Sequence, residues 1–220
     1  MNLITEHDDS SIVNYLTTVI SEQLHLGESV LWLVPGGSAM GVATAVLHRL
    51  EDTDTSGLCI TLTDERYGQP GHDDENWSQL MKLGFAVESI NAYRVLRGED
   101  SQATARDFSR KLQQLLATYS YKIGLFGIGE DGQTAGILPG SVAATSDELA
   151  VYYQGSDFAR VTVTPAAIRQ LNEAVAYAHG PRKHPQIRRL LHSKLPISKQ
   201  PAQALKRAGK SLVFSDYRDE

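Results

Sequence analysis

The sequence predicts an α/β protein built around a largely parallel sheet. Three observations lead there. Short apolar runs such as SVLWLV, LCITLT and YKIGLF read as strands buried on both faces. Amphipathic stretches of helical length alternate with them, as in βαβ units. The residues able to do chemistry gather in the loops that follow those strands, where such sheets form their ligand crevice.

The elements follow in order. SSIVNYLTTVISEQLHLG reads as an amphipathic helix with Ser10 or Ser11 as N-cap and Gly27 as its stop. SVLWLV is a strand, and SAMGVATAVLHRL a helix that begins after the PGG turn. LCITLT is the next strand, DENWSQLMKL a helix and AYRVL a third strand. SQATARDFSRKLQQLLATY carries the clearest helical periodicity and leads into YKIGLFGI. Further strands are expected at ELAVYY, ARVTVT, EAVAYAH and KSLVFS, and helices at PAAIRQLN, HPQIRRLLH and PAQALKRAG. No repeat or low-complexity segment interrupts the pattern, so residues 1–220 are expected to form a single α/β domain.

Composition narrows the function. A hydrophobic content of 41% with 21% charged residues is that of an ordinary globular chain. A formal net charge of -5 argues against a general nucleic-acid binder. The one cysteine, Cys59, lies in an apolar run and cannot form an internal disulfide, which suits a reducing cytosol. The early acids of MNLITEHDDSS do not resemble a secretory signal, and no apolar run approaches the roughly 20 residues that span a bilayer. A soluble, cytoplasmic protein without membrane or nucleic-acid partners is expected.

Four loops at strand ends carry the chemistry. PGGS places Gly36, Gly37 and Ser38 where a strand meets a helix, so the backbone can approach an anion and the helix start offers free N–H groups; a tight turn with a Ser cap is the plainer reading. DER sets Asp64, Glu65 and Arg66 after the next strand; Arg66 can hold a phosphate or carboxylate bidentately and Asp64 can accept a proton, though such triplets are often only solvated charge. GIGEDG matches GxGxxG, yet Gly136 and Pro139 leave no room for the long helix a dinucleotide site needs. It reads instead as a loop bringing Asp131 and backbone amides to a small ligand, or as a turn shaped by Asp131. HGPRK opens the chain's one basic cluster, and Lys183 is the member aimed at the crevice. His179, His184 and His192 have no metal-ligand spacing, and neither a metal nor another cofactor is expected.

In this order and spacing the loops resemble those of the 6-phosphogluconolactonases, part of a wider group that holds glucosamine-6-phosphate deaminases and relatives of ribose-5-phosphate isomerase. PGGSAMG is similar to the family's SGG-S/T-P turn. TDERYGQPGHDDENWSQL is similar to DERxVPxxHxDSNY, with His72 and Asn76 in step. GIGEDGQTAGILPGS is similar to GxGxDGHTASLFPGS, and ARVTVT with the later GPRK matches an RxT strand and a G-x-x-K turn, which pick out Arg160 and Lys183. PAQAL and VFSD complete the series, which runs from about Ser29 to Asp216. DER rather than DEY, and TAGILP rather than IAFNEP, place the chain nearer the lactonases than the deaminases.

The resemblance implies a Rossmann-like three-layer α/β sandwich and hydrolysis of 6-phosphogluconolactone in the pentose phosphate pathway. It implies a phosphate held by Gly36, Gly37 and Ser38, by Arg66 or Arg160, and by Lys183. One departure matters most. Where the family has a His as general base, this chain has Gln133, whose amide orients water but cannot take a proton. Ser and Phe of the same motif are replaced by Gly136 and Leu138. Two readings therefore stand: a lactonase with Asp131 or Glu130 as base and Gln133 positioning the water, or a phosphosugar-binding protein with reduced chemistry. An amino-sugar phosphate deaminase or isomerase, with Asp64 abstracting a proton, is a third.

Overall fold

The structure is a computed structural model that describes residues 1–87 and 90–219. Its strands are β1 (Asn2–Thr5), β2 (Val30–Val34), β3 (Leu58–Leu62), β4 (Asp64–Arg66), β5 (Asn91–Tyr93), β6 (Tyr121–Gly127), β7 (Ala150–Gln154), β8 (Ala159–Val163), β9 (Glu173–Tyr177) and β10 (Lys210–Ser215). Its α-helices are α1 (Ser10–His25), α2 (Met40–Arg49), α3 (Asn76–Lys82), α4 (Ser101–Thr118), α5 (Pro165–Ile168) and α6 (His184–His192).

Seven strands form one sheet in the order β1-β10-β9-β6-β2-β3-β5, and every pairing in it is parallel. Each residue of β2 and β3 is buried, as their nearly continuous apolar sequences require, with Thr61 the polar member of β3. The chain runs outward from β2 through β3 to the edge strand β5. It then returns through α4 to β6 on the other side of β2 and proceeds to β9 and β10. The helices α1 and α2 pack together, and the right-handed crossover usual between parallel strands sets them on the face opposite α4 and α6. The result is the α/β sandwich expected, with helices flanking a mostly parallel sheet. The reversal of direction falls between β2 and β6, so the loops leaving these two strands diverge and open a crevice at their carboxyl ends.

Several elements differ from the sequence reading. DER is not a loop but β4, which pairs antiparallel with β8; β8 pairs antiparallel with β7, and the three form a separate small sheet. The helix α4 packs against β7 and β8, so this sheet is bound to the body of the protein. The N-terminal residues contribute the edge strand β1 beside β10. The N-cap position of α1 is Asp9, with Ser10 already helical, while Gly27 adopts the left-handed conformation at the helix end (φ 78°) as expected. AYRVL yields only the short β5, and PAAIRQLN only four helical residues. DENWSQLMKL becomes helical from Asn76. PAQALKRAG forms a 3₁₀ rather than an α-helix, over Pro201–Arg207, with Pro201 to Leu205 buried.

Candidate active site

The crevice at the switch point is a cavity of about 280 Å³, at the small end of ligand sites. Gly36, Gly37 and Ser38 line it from the end of β2, Asp64 and Arg66 from β4, Glu130 and Gln133 from the loop after β6, Arg160 from β8 and Lys183 from the turn before α6. The fold thus gathers residues from across the sequence into one place.

The glycine turn is shaped by its neighbours. Gly37 has φ 68° and opens a 3₁₀ turn, Gly37–Ala39, that lines the cavity and leads into α2, where the first N–H groups of a helix lack intrahelical partners. At Gly36 a Cβ would lie 2.4 Å from Asn76 Oδ1. Asn76 is buried and lines the cavity, with its Nδ2 donating to the carbonyl of Asp64 at 3.0 Å. Glu65, the middle residue of the triplet, points inward and accepts N–H bonds from Arg66, Asn76 and Trp77 at 2.8, 2.6 and 3.0 Å. It therefore caps α3 and fixes Asn76, a supporting role, and burial pushes its pKa up to about 8.

Two arginines sit side by side on paired strands, Arg66 opposite Arg160. Both guanidinium groups lie over the Phe158 ring, 4.3 and 5.6 Å from its centre. Arg160 is largely committed already: Asp157 accepts from its Nη1 and Nη2 at 2.7 and 2.8 Å, which holds the Asp157 carboxyl well below its ordinary pKa. Among the described residues the acid paired with Arg66 is the half-exposed Asp74, at a longer 3.6 Å, so Arg66 is the freer of the two to meet an anion. Lys183 reaches across the crevice to Ser38, Nζ to Oγ 3.3 Å. Burial lowers its pKa, while Glu130 and Asp216 act in the opposite direction.

The acids occupy different environments. Asp64 accepts from Thr63 Oγ1 at 2.8 Å, and its burial raises its pKa against the pull of Thr63, Arg160 and Arg66. Glu130 is exposed at the rim and pairs with Arg182 at 3.3 Å. Asp131 does not line the cavity; its Oδ1 accepts the N–H of Gln133 at 2.9 Å and shapes the turn. Gly129 allows that turn to close, because a Cβ there would lie 2.5 Å from Gln133 Cγ and 2.8 Å from Asp131 Oδ1. Ala135, also in the lining, is held at φ 48°, an uncommon conformation for a residue with a side chain.

None of the nearby histidines enters the cavity in place of the family's imidazole. His72 bonds the carbonyl of Arg66, His179 bonds Glu6, and His184 bonds Asp216. Among the described residues no cluster of His, Cys, Asp or Glu is placed to hold a metal ion, and no helix is long and apolar enough to cross a membrane. Sequence reasoning did not find Asn76, Asp157 or Phe158 as site residues. Asn76 sits in a stretch already matched to the family, and the Gly155–Phe158 turn between two strands was the available signal for the others.

The family model described as glucosamine-6-phosphate isomerases/6-phosphogluconolactonase matches residues 8–214. The chain belongs to this family. A 6-phosphogluconolactonase of Chlamydia muridarum is 26% identical over 159 residues, which cover 67% of this chain and 59% of that relative. A crystal structure of a 6-phosphogluconolactonase from Shewanella baltica superposes with a TM-score of 0.83 at 19% identity, covering 98% of this chain and 97% of that one. A monomeric glucosamine-6-phosphate deaminase superposes nearly as well, with a TM-score of 0.80 at 16% identity over 98% of this chain and 97% of its own. Proteins named for different activities thus share this fold, and the choice between activities rests on the site.

Proposed function

We propose that the chain hydrolyses 6-phosphogluconolactone to 6-phosphogluconate. The observation that carries this reading is the composition of the cavity. A glycine turn at a helix start, Lys183 and Arg66 form an anion-binding end, and the half-buried carboxyl of Asp64 shares the same small space with Gln133. The phosphate sits against Gly36, Gly37 and Ser38, with Lys183 and Arg66 supplying charge-assisted bonds and Arg160 flanking them.

In the reaction a water adds to the lactone carbonyl carbon, the bond from that carbon to the ring oxygen breaks, and the ring oxygen leaves as a hydroxyl. The proton given up by the water returns to that oxygen. Of the acids near the loop, Asp64 is the base this geometry favours. Glu130 is turned to Arg182 at the rim, and Asp131 is committed to its own turn. Raising the pKa of a carboxylate makes it a stronger base, closer to the pH at which it must act. Gln133 replaces an imidazole with an amide, which orients the water and hydrogen-bonds the developing oxyanion.

The experiment is hydrolysis of freshly generated lactone by the wild-type protein and by Asp64→Asn, with the affinity for 6-phosphogluconate measured by calorimetry. Turnover in the wild type and its loss in the variant, at little change in affinity, support the reading. Affinity without turnover would support the second reading, a phosphosugar-binding protein, which the non-titrating Gln133 favours. Neither affinity nor turnover would remove both.

A further inference from the structure

Two acidic stretches at opposite ends of the sequence, TEHDD and VFSD, have no part in the cavity, yet they meet at the loop that delivers Lys183 to it. We infer that Asp216, assisted by Glu6, is a positioning residue for Lys183. The inference rests on the reading of Lys183 as a phosphate ligand and names what holds it in place.

The loop between β9 and α6 has little regular structure with which to hold itself. Gly180 is at φ 106° and Pro181 has no N–H, so the main chain turns sharply just before the lysine. Its own turn is closed by the N–H of Lys183 on the carbonyl of Gly180, 2.9 Å. Asp216 follows β10, the strand beside β9. One oxygen, Oδ1, accepts the N–H of Gly180 at 3.0 Å and bonds His184 Nε2 at 3.0 Å. The same atom therefore grips the turn on both sides of Lys183.

Glu6 follows β1, the strand beyond β10. Its Oε1 bonds His179 Nε2 at 3.1 Å, and its Oε2 accepts the N–H of Ile12 in the first turn of α1 at 3.2 Å. The His179 ring also stacks on Tyr177, 4.6 Å between centres. Just before the loop, Ser215 Oγ donates to the carbonyl of Ala178 at 2.6 Å, extending the β9–β10 pairing to the point where the grip begins. Asp216 does not line the cavity, so any effect it has on ligand passes through the loop and through its charge, which favours the ammonium of Lys183.

Variants separate position from charge. Asp216→Asn keeps an oxygen for the Gly180 N–H and removes the charge; Asp216→Ala removes both. The direct readout is the rate at which the Lys183 amine is acylated by acetic anhydride across pH, resolved by mass spectrometry, with the exposed Lys199 as internal reference. A second readout is the KM against kcat split for the phosphorylated lactone. Asp216→Ala is expected to speed acylation of Lys183 relative to Lys199 and to raise KM, each by roughly fivefold, the scale of one lost hydrogen bond of about 1 kcal/mol, with a smaller change in kcat. Asp216→Asn is expected to fall between the wild type and Asp216→Ala. Wild-type acylation of Lys183 in a folded Asp216→Ala protein would overturn the inference. If Asp216→Ala does not fold, His184→Ala removes one of the two contacts and is held to the same criterion. A wild-type protein without lactonase activity would refute the hydrolytic reading alone, since Lys183 acylation still decides the positioning role.

Discussion

Replacing Gly36 with alanine tests how the phosphate turn is fitted to the rest of the site. The added Cβ would stand 2.4 Å from Asn76 Oδ1 and 2.5 Å from both Cγ and Nδ2, closer than real atoms approach. Asn76 cannot simply swing aside, because it is buried, its Nδ2 bonds the Asp64 carbonyl, and its own N–H bonds Glu65. Moving its amide leaves a buried polar group unpaired, which costs about 1–3 kcal/mol. Overpacking adds about 1–3 kcal/mol more. Gly36→Ala alone is therefore expected to destabilise by about 2–6 kcal/mol, read as a fall in the urea midpoint at unchanged slope. In an Asn76→Ala background the three clashing atoms are gone, and the same substitution is expected to cost less by more than about 1 kcal/mol in a double-mutant cycle. Equal costs in the two backgrounds would refute the close fit of Asn76 against the turn.

Three other substitutions bear on the chemistry and on stability. Asp64→Asn is expected to lower lactone hydrolysis by about 10²–10⁴-fold. Because burial raises the Asp64 pKa above its ordinary value, the wild-type rate should begin to fall, as pH is lowered, above the usual carboxylate range; a pH–rate profile checks this. Lys183→Met is expected to weaken 6-phosphogluconate binding by about 1.5–3 kcal/mol, the worth of a hydrogen bond to a charged group, measured by calorimetry. For Glu65, whose pKa is raised from 4.5 to about 8 by burial, the folded protein holds the proton more tightly than the unfolded chain does. Its contribution to stability is thus complete below 4.5 and is lost as pH rises to about 8, and Glu65→Gln should flatten that decline in urea midpoints.

The core of the fold was legible because β2 and β3 are buried strands of nearly continuous apolar sequence, β6 is buried through its middle, and α4 has a strong amphipathic repeat. What escaped was set by distant partners. Residues 64–66 form a strand only because β8, far along the chain, lies beside them. NLIT is a strand only because β10, at the other end of the sequence, is its neighbour. PAAI stops after four helical residues where Asn172 is bound both ways to Lys122, main chain to main chain and side chain to N–H, an anchor no local pattern displays. In the site, the strand-end rule located the loops but not the direction of each side chain. Asp64, Glu65 and Arg66 alternate across a short strand, so the middle residue turns into the core while its neighbours face the cavity. Between glycines, Asp131 had both a turn reading and a site reading, and its side chain is in the turn.

The most direct test of the proposed activity compares two lactones, with and without the 6-phosphate, each freshly generated and followed against its spontaneous hydrolysis in the same buffer. The cavity, with Lys183 and Arg66 at its anion-binding end, predicts clear acceleration of the phosphorylated lactone and far weaker acceleration of the other. A phosphorylated lactone that disappears no faster with the protein than without it would contradict the account.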